Sequence, residues 1–183
     1  MNEAPAQPGA PLIVTAQLPP DLFAWADALR RAHFPPERNL LAAHVTLFHA
    51  LPPSLLAEVR QCLAELGAGH APPPARITGL LNLGRGTAIA LESPALLALR
   101  DRIAGRFHGL LTAQDQHRPR LHITIQNKVL PEAARALQSS LRDALTERRF
   151  AFAGLALHHY RGGPWEAAGT WPFRGRGGAQ TGG

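Results

Sequence analysis

The chain has 183 residues, of which 45% are hydrophobic, so it can bury the core of about one domain. It contains no run of eighteen or more apolar residues, which excludes a typical transmembrane helix, and its single cysteine, Cys62, excludes an internal disulfide. The formal net charge of +6 favours polyanionic partners such as nucleic acid, without identifying one.

The first residues of the sequence lack the basic segment and the long apolar run of a signal peptide. A single cysteine is also typical of a protein in a reducing compartment. We therefore expect a cytoplasmic protein with no membrane partner, and we expect a monomer.

Strands and helices are predicted to alternate through the first half of the chain. Residues 11–18 form a short apolar run rich in β-branched residues, which predicts a strand. Residues 19–34 begin with prolines and an aspartate and repeat apolar residues at helical spacing, which predicts an amphipathic helix. A second strand is predicted within residues 42–51, followed by a second helix over 52–69.

The second half continues this alternation. Residues 75–83 and 87–93 flank the sequence Gly-Arg-Gly and predict a β-hairpin. We expect helices over residues 94–111 and 131–149 on either side of a strand within 120–129, and closing strands over 150–163 and 165–173.

The two ends of the chain differ in composition from the rest. Residues 1–10 and 174–183 are rich in glycine, proline, alanine and glutamine, which predicts flexible tails. The intervening residues 11–173 are interpreted as a single domain.

One four-residue pattern occurs twice, as HVTL over residues 44–47 and as HITI over residues 122–125. The second copy begins 78 positions after the first, close to half of the predicted ordered chain. Each copy falls on a predicted strand that is followed by a helix. This arrangement indicates an internal duplication with one motif in each half.

The motif suits phosphoester chemistry because side chains alternate between the two faces of a strand. His44 and Thr46 therefore share one face, His122 and Thr124 share another, and the aliphatic residues of each motif face the core. If the two halves face each other, one imidazole can accept a proton while the other donates one. The threonine hydroxyls can donate hydrogen bonds to phosphate oxygens.

The paired motifs and the flanking sequences HVTLFHALP, HITIQNKV and YRGGPWE resemble the 2H phosphoesterases, specifically their 2'-5' RNA ligase-like branch, which includes RNA 2',3'-cyclic phosphodiesterases. The resemblance implies an α+β fold of two pseudo-symmetric lobes, each with an antiparallel sheet and outer helices, around a central groove that carries both motifs. It implies that His44 and His122 are catalytic and that Thr46 and Thr124 bind the substrate phosphate.

The same resemblance implies hydrolysis of 2',3'-cyclic phosphates at RNA ends or on nucleotides, with 2'-5' RNA ligation as the reverse reaction and no metal or nucleotide cofactor. The best-known RNA ligases of this family carry an arginine shortly after the second motif, where this chain has Gln126, Asn127 and Lys128. In a regular strand, Gln126 and Lys128 would share the face of Thr124, so we expect both to contact the phosphate.

Several other side chains are candidates for the groove. In a regular strand, His49 lies on the face opposite His44, which favours a structural or rim role. His158 and His159 are adjacent and point in opposite directions, so one of them can line the groove. Tyr160 and Trp165 are candidates for stacking on a nucleobase, and packing in the core or at the rim is the alternative.

Two other functional classes are alternatives to a metal-independent enzyme. A metallohydrolase would carry histidines and carboxylates at ligand spacing, as in H-E-x-x-H, and no motif histidine has such neighbours. A non-catalytic RNA-binding module would retain the fold without turnover. Hydrolysis of cyclic nucleotides in the presence of EDTA distinguishes these alternatives from a metal-independent enzyme.

Overall fold

A computed structural model describes residues 9–177 of the chain. Residues 1–8 and 178–183 of the predicted flexible tails lie outside the described residues. The described part forms eight strands, in chain order: β1 (Leu12–Gln17), β2 (Val45–Leu51), β3 (Pro74–Asn82), β4 (Thr87–Glu92), β5 (His122–Gln126), β6 (Arg149–Ala151), β7 (Gly154–His159) and β8 (Glu166–Pro172).

Five α-helices connect these strands within the described residues: α1 (Pro20–His33), α2 (Leu56–Gly69), α3 (Pro94–Arg106), α4 (Ala113–Gln116) and α5 (Pro131–Arg142). Three of them, α1, α3 and α5, begin at a proline, which suits the first helical turn because that position needs no N–H donor. Nowhere in residues 9–177 is a helix both long and apolar enough to span a lipid bilayer.

The strands form two antiparallel sheets of four strands each. The first has the order β2-β1-β7-β8 and the second the order β5-β4-β3-β6. The two strands that carry the repeated motif, β2 and β5, occupy corresponding edges of the two sheets. The predicted α+β fold with one antiparallel sheet in each lobe is confirmed.

The predicted closing strand over residues 150–163 is two strands that belong to different sheets. β6 extends the second sheet beside β3, and β7 lies beside β1 in the first. Between them, Phe152 is fully buried and its N–H donates to the carbonyl of Pro73, while the N–H of Ala153 donates to that of Gln17. The prediction of one strand is wrong here because the apolar sequence carries no local turn signal at the crossing.

Each lobe is held by a helix that belongs to the other half of the chain. α1 follows β1 of the first sheet, yet it packs against β5 of the second. Arg30 of α1 is buried, and its Nη1 donates to the Thr124 carbonyl of β5 at 2.8 Å. Reciprocally, the buried Asp115 of α4 accepts hydrogen bonds from the backbone of β2. The two motif strands are therefore positioned by contacts between the halves.

Candidate active site

The two motif histidines have the same local geometry. His44 directly precedes β2, and His122 is the first residue of β5. The Nδ1 atom of His44 lies 2.8 Å from the Ala42 carbonyl oxygen, and that of His122 lies 2.7 Å from the Arg120 carbonyl oxygen. Because a carbonyl only accepts, each Nδ1 carries a hydrogen, and Nε2 is the free nitrogen of each neutral ring. Both rings are therefore oriented for proton transfer at Nε2.

One cavity of about 340 Å³ brings the two motifs together. His44, Thr46, His122 and Thr124 all line it, as the strand alternation predicts. The aliphatic members of the motifs, Val45, Leu47, Ile123 and Ile125, are at most 1% exposed. Their burial fixes which face of each strand reaches the cavity, since a slip of one residue would exchange the two faces.

The environment of His44 keeps this ring neutral. Burial, the largest cause, and the nearby cationic groups of Arg30, His158 and His122 together lower the pKa of His44 from its ordinary value of 6.5 to about 4. The hydrogen bond to the Ala42 carbonyl acts in the opposite direction but does not outweigh them. At neutral pH the free Nε2 of His44 is therefore ready to accept a proton.

Trp165 covers His44 at the end of the loop before β8. The centroids of the two rings are 4.7 Å apart, and the ring of His158 lies 5.4 Å from that of Trp165. His158 is in turn 3.1 Å from the Thr15 hydroxyl, and burial lowers its pKa. Of the adjacent pair His158 and His159, it is His158 that lies beside the motif.

A second cavity, of about 550 Å³, begins at His44 and has largely apolar walls. Trp165 and His158 line it, together with Phe23 and Leu40, whose exposed fractions of 39% and 56% are high for large apolar residues. Trp165 thus contacts His44 of the motif and lines the apolar cavity beside it. Tyr160, the other predicted stacking residue, is 45% exposed and lines neither cavity.

His49 does not lie on the face that a regular strand predicts. Opposite β1, Thr46 pairs with Thr15 and Phe48 pairs with Val14, so β2 has one extra residue between these two pairs. Such a bulge reverses the alternation of side chains. As a result Leu47 and Phe48 are both buried, and His49 lines the cavity with His44.

The buried Asp115 fixes the orientation of His49. Its carboxylate accepts hydrogen bonds from the N–H groups of His49 and Ala50, each at 2.9 Å, and from His49 Nδ1 at 3.1 Å. Burial raises the pKa of Asp115, but these hydrogen bonds outweigh it, so the net pKa is below its ordinary value and the carboxylate is ionised. Sequence reasoning missed the contact between His49 and Asp115 because Asp115 lies 66 positions after His49, in a helix of only four residues.

A bulge of the same kind lies at the last residue of the second motif and corrects the prediction for Gln126. Thr124 pairs with Ala88 and Gln126 pairs with Thr87, which leaves Ile125 as an extra residue. Gln126 is therefore turned away from the cavity. It is 6% exposed, and the Thr87 hydroxyl donates to its Oε1 at 3.3 Å.

Lys128 also departs from the face predicted for it. β5 ends at Gln126, and Lys128 lies beyond it in a turn with a φ of 60°, in the left-handed region. Its side chain is exposed and is not among the residues that line the cavity with His122. Strand parity does not apply at this position because the strand has already ended.

Comparisons with known proteins agree with this architecture. A family model described as the 2'-5' RNA ligase superfamily matches residues 18–164. No curated protein matched the sequence.

Across the described residues 9–177, no group of three or more histidine, cysteine, aspartate or glutamate side chains is arranged to hold a metal ion.

Solved structures share the fold at low sequence identity. TT0787 of Thermus thermophilus has a TM-score of 0.62 and 17% identity, over 91% of this chain and 100% of that chain. E. coli LigT complexed with 3'-AMP has a TM-score of 0.57 and 18% identity, over 90% and 98%. A structure described as a phosphoesterase has a TM-score of 0.55 and 19% identity, also over 90% and 98%.

Proposed function

Because the chain belongs to the 2'-5' RNA ligase superfamily of phosphoesterases and ligases, we propose that it is a phosphodiesterase that opens 2',3'-cyclic phosphates at RNA ends or on nucleotides. The product is a phosphomonoester, and the reverse direction corresponds to ligation through a 2'-5' bond. The complex of E. coli LigT with 3'-AMP is consistent with a nucleotide substrate.

The observation that carries the proposal is the pair of equivalent imidazoles beside two threonine hydroxyls in one cavity. The neutral Nε2 of His44 removes a proton from water as the water oxygen attacks phosphorus. The bond from phosphorus to one ribose oxygen breaks, and the protonated ring of His122 donates its Nε2 proton to that oxygen. Thr46 and Thr124 donate hydrogen bonds to the non-bridging oxygens, where negative charge accumulates.

Hydrolysis of nucleoside 2',3'-cyclic phosphates in excess EDTA tests this proposal. Phosphorus NMR follows conversion of the cyclic phosphate and distinguishes a 2'-phosphate from a 3'-phosphate product. We expect turnover that EDTA does not affect. Loss of activity in EDTA with recovery on adding zinc would indicate a metallohydrolase, and RNA binding without turnover would indicate a non-catalytic module.

The lowered pKa of His44 predicts activity that persists at acidic pH. If His44 is the general base, kcat/KM should stay high as the pH falls to about 5 and should decline near the pKa of about 4, where the ring becomes protonated. A pH profile of kcat/KM for cyclic nucleotide hydrolysis measures this decline. Trp165→Ala exposes the His44 ring to water, so the pH at which kcat/KM declines should rise toward 6.5. An acidic limb between 6 and 7 in the unaltered protein would contradict the assignment.

Trp165 is also the side chain best placed to stack on the nucleobase. Loss of base stacking costs about 1–3 kcal/mol, so Trp165→Ala should raise KM for a cyclic nucleotide by about 5- to 150-fold. Tyr160→Ala is the matched control because Tyr160 is exposed and lines neither cavity. Steady-state kinetics for both variants provide the comparison. Equal KM values for Trp165→Ala and the unaltered protein would exclude stacking on this ring.

A further inference from the structure

Cationic side chains extend the cavity beyond the two motifs. Arg100, Arg118 and Arg120 line it together with His49, whereas Asp115 is the single carboxylate on its wall. The Asp115 carboxylate is ionised, but the three arginines outnumber it. This wall therefore attracts anions even when every histidine is neutral.

His49 is oriented as a hydrogen-bonding group rather than packed as a core residue. Its side chain is 43% exposed, while its Nδ1 is engaged by the buried Asp115 carboxylate at 3.1 Å. The carboxylate only accepts, so Nδ1 carries a hydrogen and Nε2 is the nitrogen available to a ligand. Protonation of the ring makes Nε2 a charged donor, of the kind that binds phosphate oxygens.

Two arginines line the same cavity as this imidazole. Arg120 is exposed, and none of the salt bridges found in residues 9–177 involves it. Its backbone is fixed, because its carbonyl accepts from His122 Nδ1. Arg118 pairs with Asp101 at 2.5 Å, but both side chains are about half exposed, so the pair is weak enough to exchange for a phosphate.

We propose that His49, Arg118 and Arg120 form a second phosphate subsite, which binds the 5'-phosphate of the nucleotide whose cyclic phosphate reacts between His44 and His122. This inference rests on the proposed function and narrows its substrate class. In RNA, that 5'-phosphate is the phosphodiester that joins the terminal nucleotide to the rest of the strand. The preferred substrate is therefore an RNA end rather than a nucleoside cyclic phosphate with a free 5'-hydroxyl.

Two substrates that differ only in the 5'-phosphate test the subsite. Cytidine 2',3'-cyclic phosphate and its 5'-phosphorylated form present the same reacting group, and kcat/KM is measured for each. A hydrogen bond to a charged group contributes about 1.5–3 kcal/mol, so we expect the unaltered protein to prefer the 5'-phosphorylated form by about 10-fold or more. His49→Gln and Arg120→Gln should each lower this preference by about 10-fold.

Arg135→Gln is the matched control, because Arg135 is an exposed residue of α5 outside the cavity and should leave both rates unchanged. Thermal melts establish whether each variant is folded. If His49→Gln does not fold, Arg120→Gln alone tests the subsite. An equal fall on both substrates, or an unchanged preference, would overturn the subsite.

A binding measurement separates this inference from the proposed function. Calorimetry with cytidine 3'-monophosphate and cytidine 3',5'-bisphosphate requires no turnover. We expect tighter binding of the bisphosphate, and loss of that difference in Arg120→Gln. If neither cyclic substrate is hydrolysed, the proposed activity fails, yet the ratio of the two Kd values still decides the subsite. Equal affinities, or no binding of either ligand, would refute it.

Discussion

Replacement of His44 or His122 by alanine is expected to lower kcat for 2',3'-cyclic phosphate hydrolysis by about 10²- to 10⁴-fold, the usual contribution of a general acid or base. Each variant removes the Nε2 atom of one motif histidine, and with it one of the two proton transfers that the proposed reaction requires. The measurement is single-substrate kinetics at neutral pH, with chemical shift or melting data to establish that the fold persists.

His108→Ala is the matched control for this prediction. His108 undergoes the same chemical change, but it is exposed in the turn after α3 and lines neither cavity. It should retain full activity. Residual activity above one tenth of the original in a folded His44→Ala or His122→Ala variant would show that the paired imidazoles are not the proton-transfer groups.

Arg30→Ala should destabilise the protein by about 3 kcal/mol or more, because it leaves three partly buried acceptors without their donor and removes a buried side chain. The Nη1 of Arg30 donates to the Thr124 carbonyl, and its Nε donates to both Asn39 Oδ1 and the Leu41 carbonyl, each at 2.8 Å. The guanidinium also lies 4.3 Å from the centroid of the Phe34 ring. Alanine would remove these contacts and open a void between α1 and β5.

Urea denaturation of Arg30→Ala and Arg31→Ala measures this effect with a neighbouring control. The Arg31 side chain is 66% exposed and pairs with Asp27 on the same helix, so its loss should cost no more than about 1 kcal/mol. Equal midpoints for the two variants would contradict the role of Arg30. Because Arg30 supports the backbone of Thr124, its loss should also reduce activity, whereas Arg31→Ala should not.

The core of the candidate site was predictable because it depends on local rules. Alternation along a strand correctly placed the histidine and threonine of each motif on one face and the aliphatic residues on the other. Repetition of the motif alone left open whether the two halves face each other, and a groove shared by both copies was an expectation from the resemblance. The alternation rule needs only a short sequence and a regular strand.

The bulges were less accessible to sequence reasoning. In the first motif, the consecutive apolar residues Leu47 and Phe48 were a usable signal, since both can be buried only if the alternation is interrupted. The second motif gives no such signal, because the extra residue Ile125 is followed by the polar Gln126. There the side chain turns inward to a partner, Thr87, that is 39 positions away. Pairing with a distant strand, rather than the local pattern, decides its direction.

Contacts between the two halves of the chain also could not be predicted from the sequence. Nothing near Arg30 indicates that it bonds to β5, and nothing near Asp115 indicates that it holds β2. Regular alternation favours a structural or rim role for His49, whereas the bulge in β2 and the contact with Asp115 place it in the cavity. Burial of a charged residue depends on which surfaces meet, which short-range periodicity does not encode.

The order of strands in the first sheet has a consequence for how the chain is synthesised. β1 lies between β2 and β7, so the first two and the last two strands of the described residues form a single sheet. During translation, the pair of β1 and β2 must remain without its other neighbour until β7, which ends at His159, has left the ribosome. Such long-range pairing slows folding, and it leaves an open strand edge that nascent chains must protect from aggregation until the last two strands arrive.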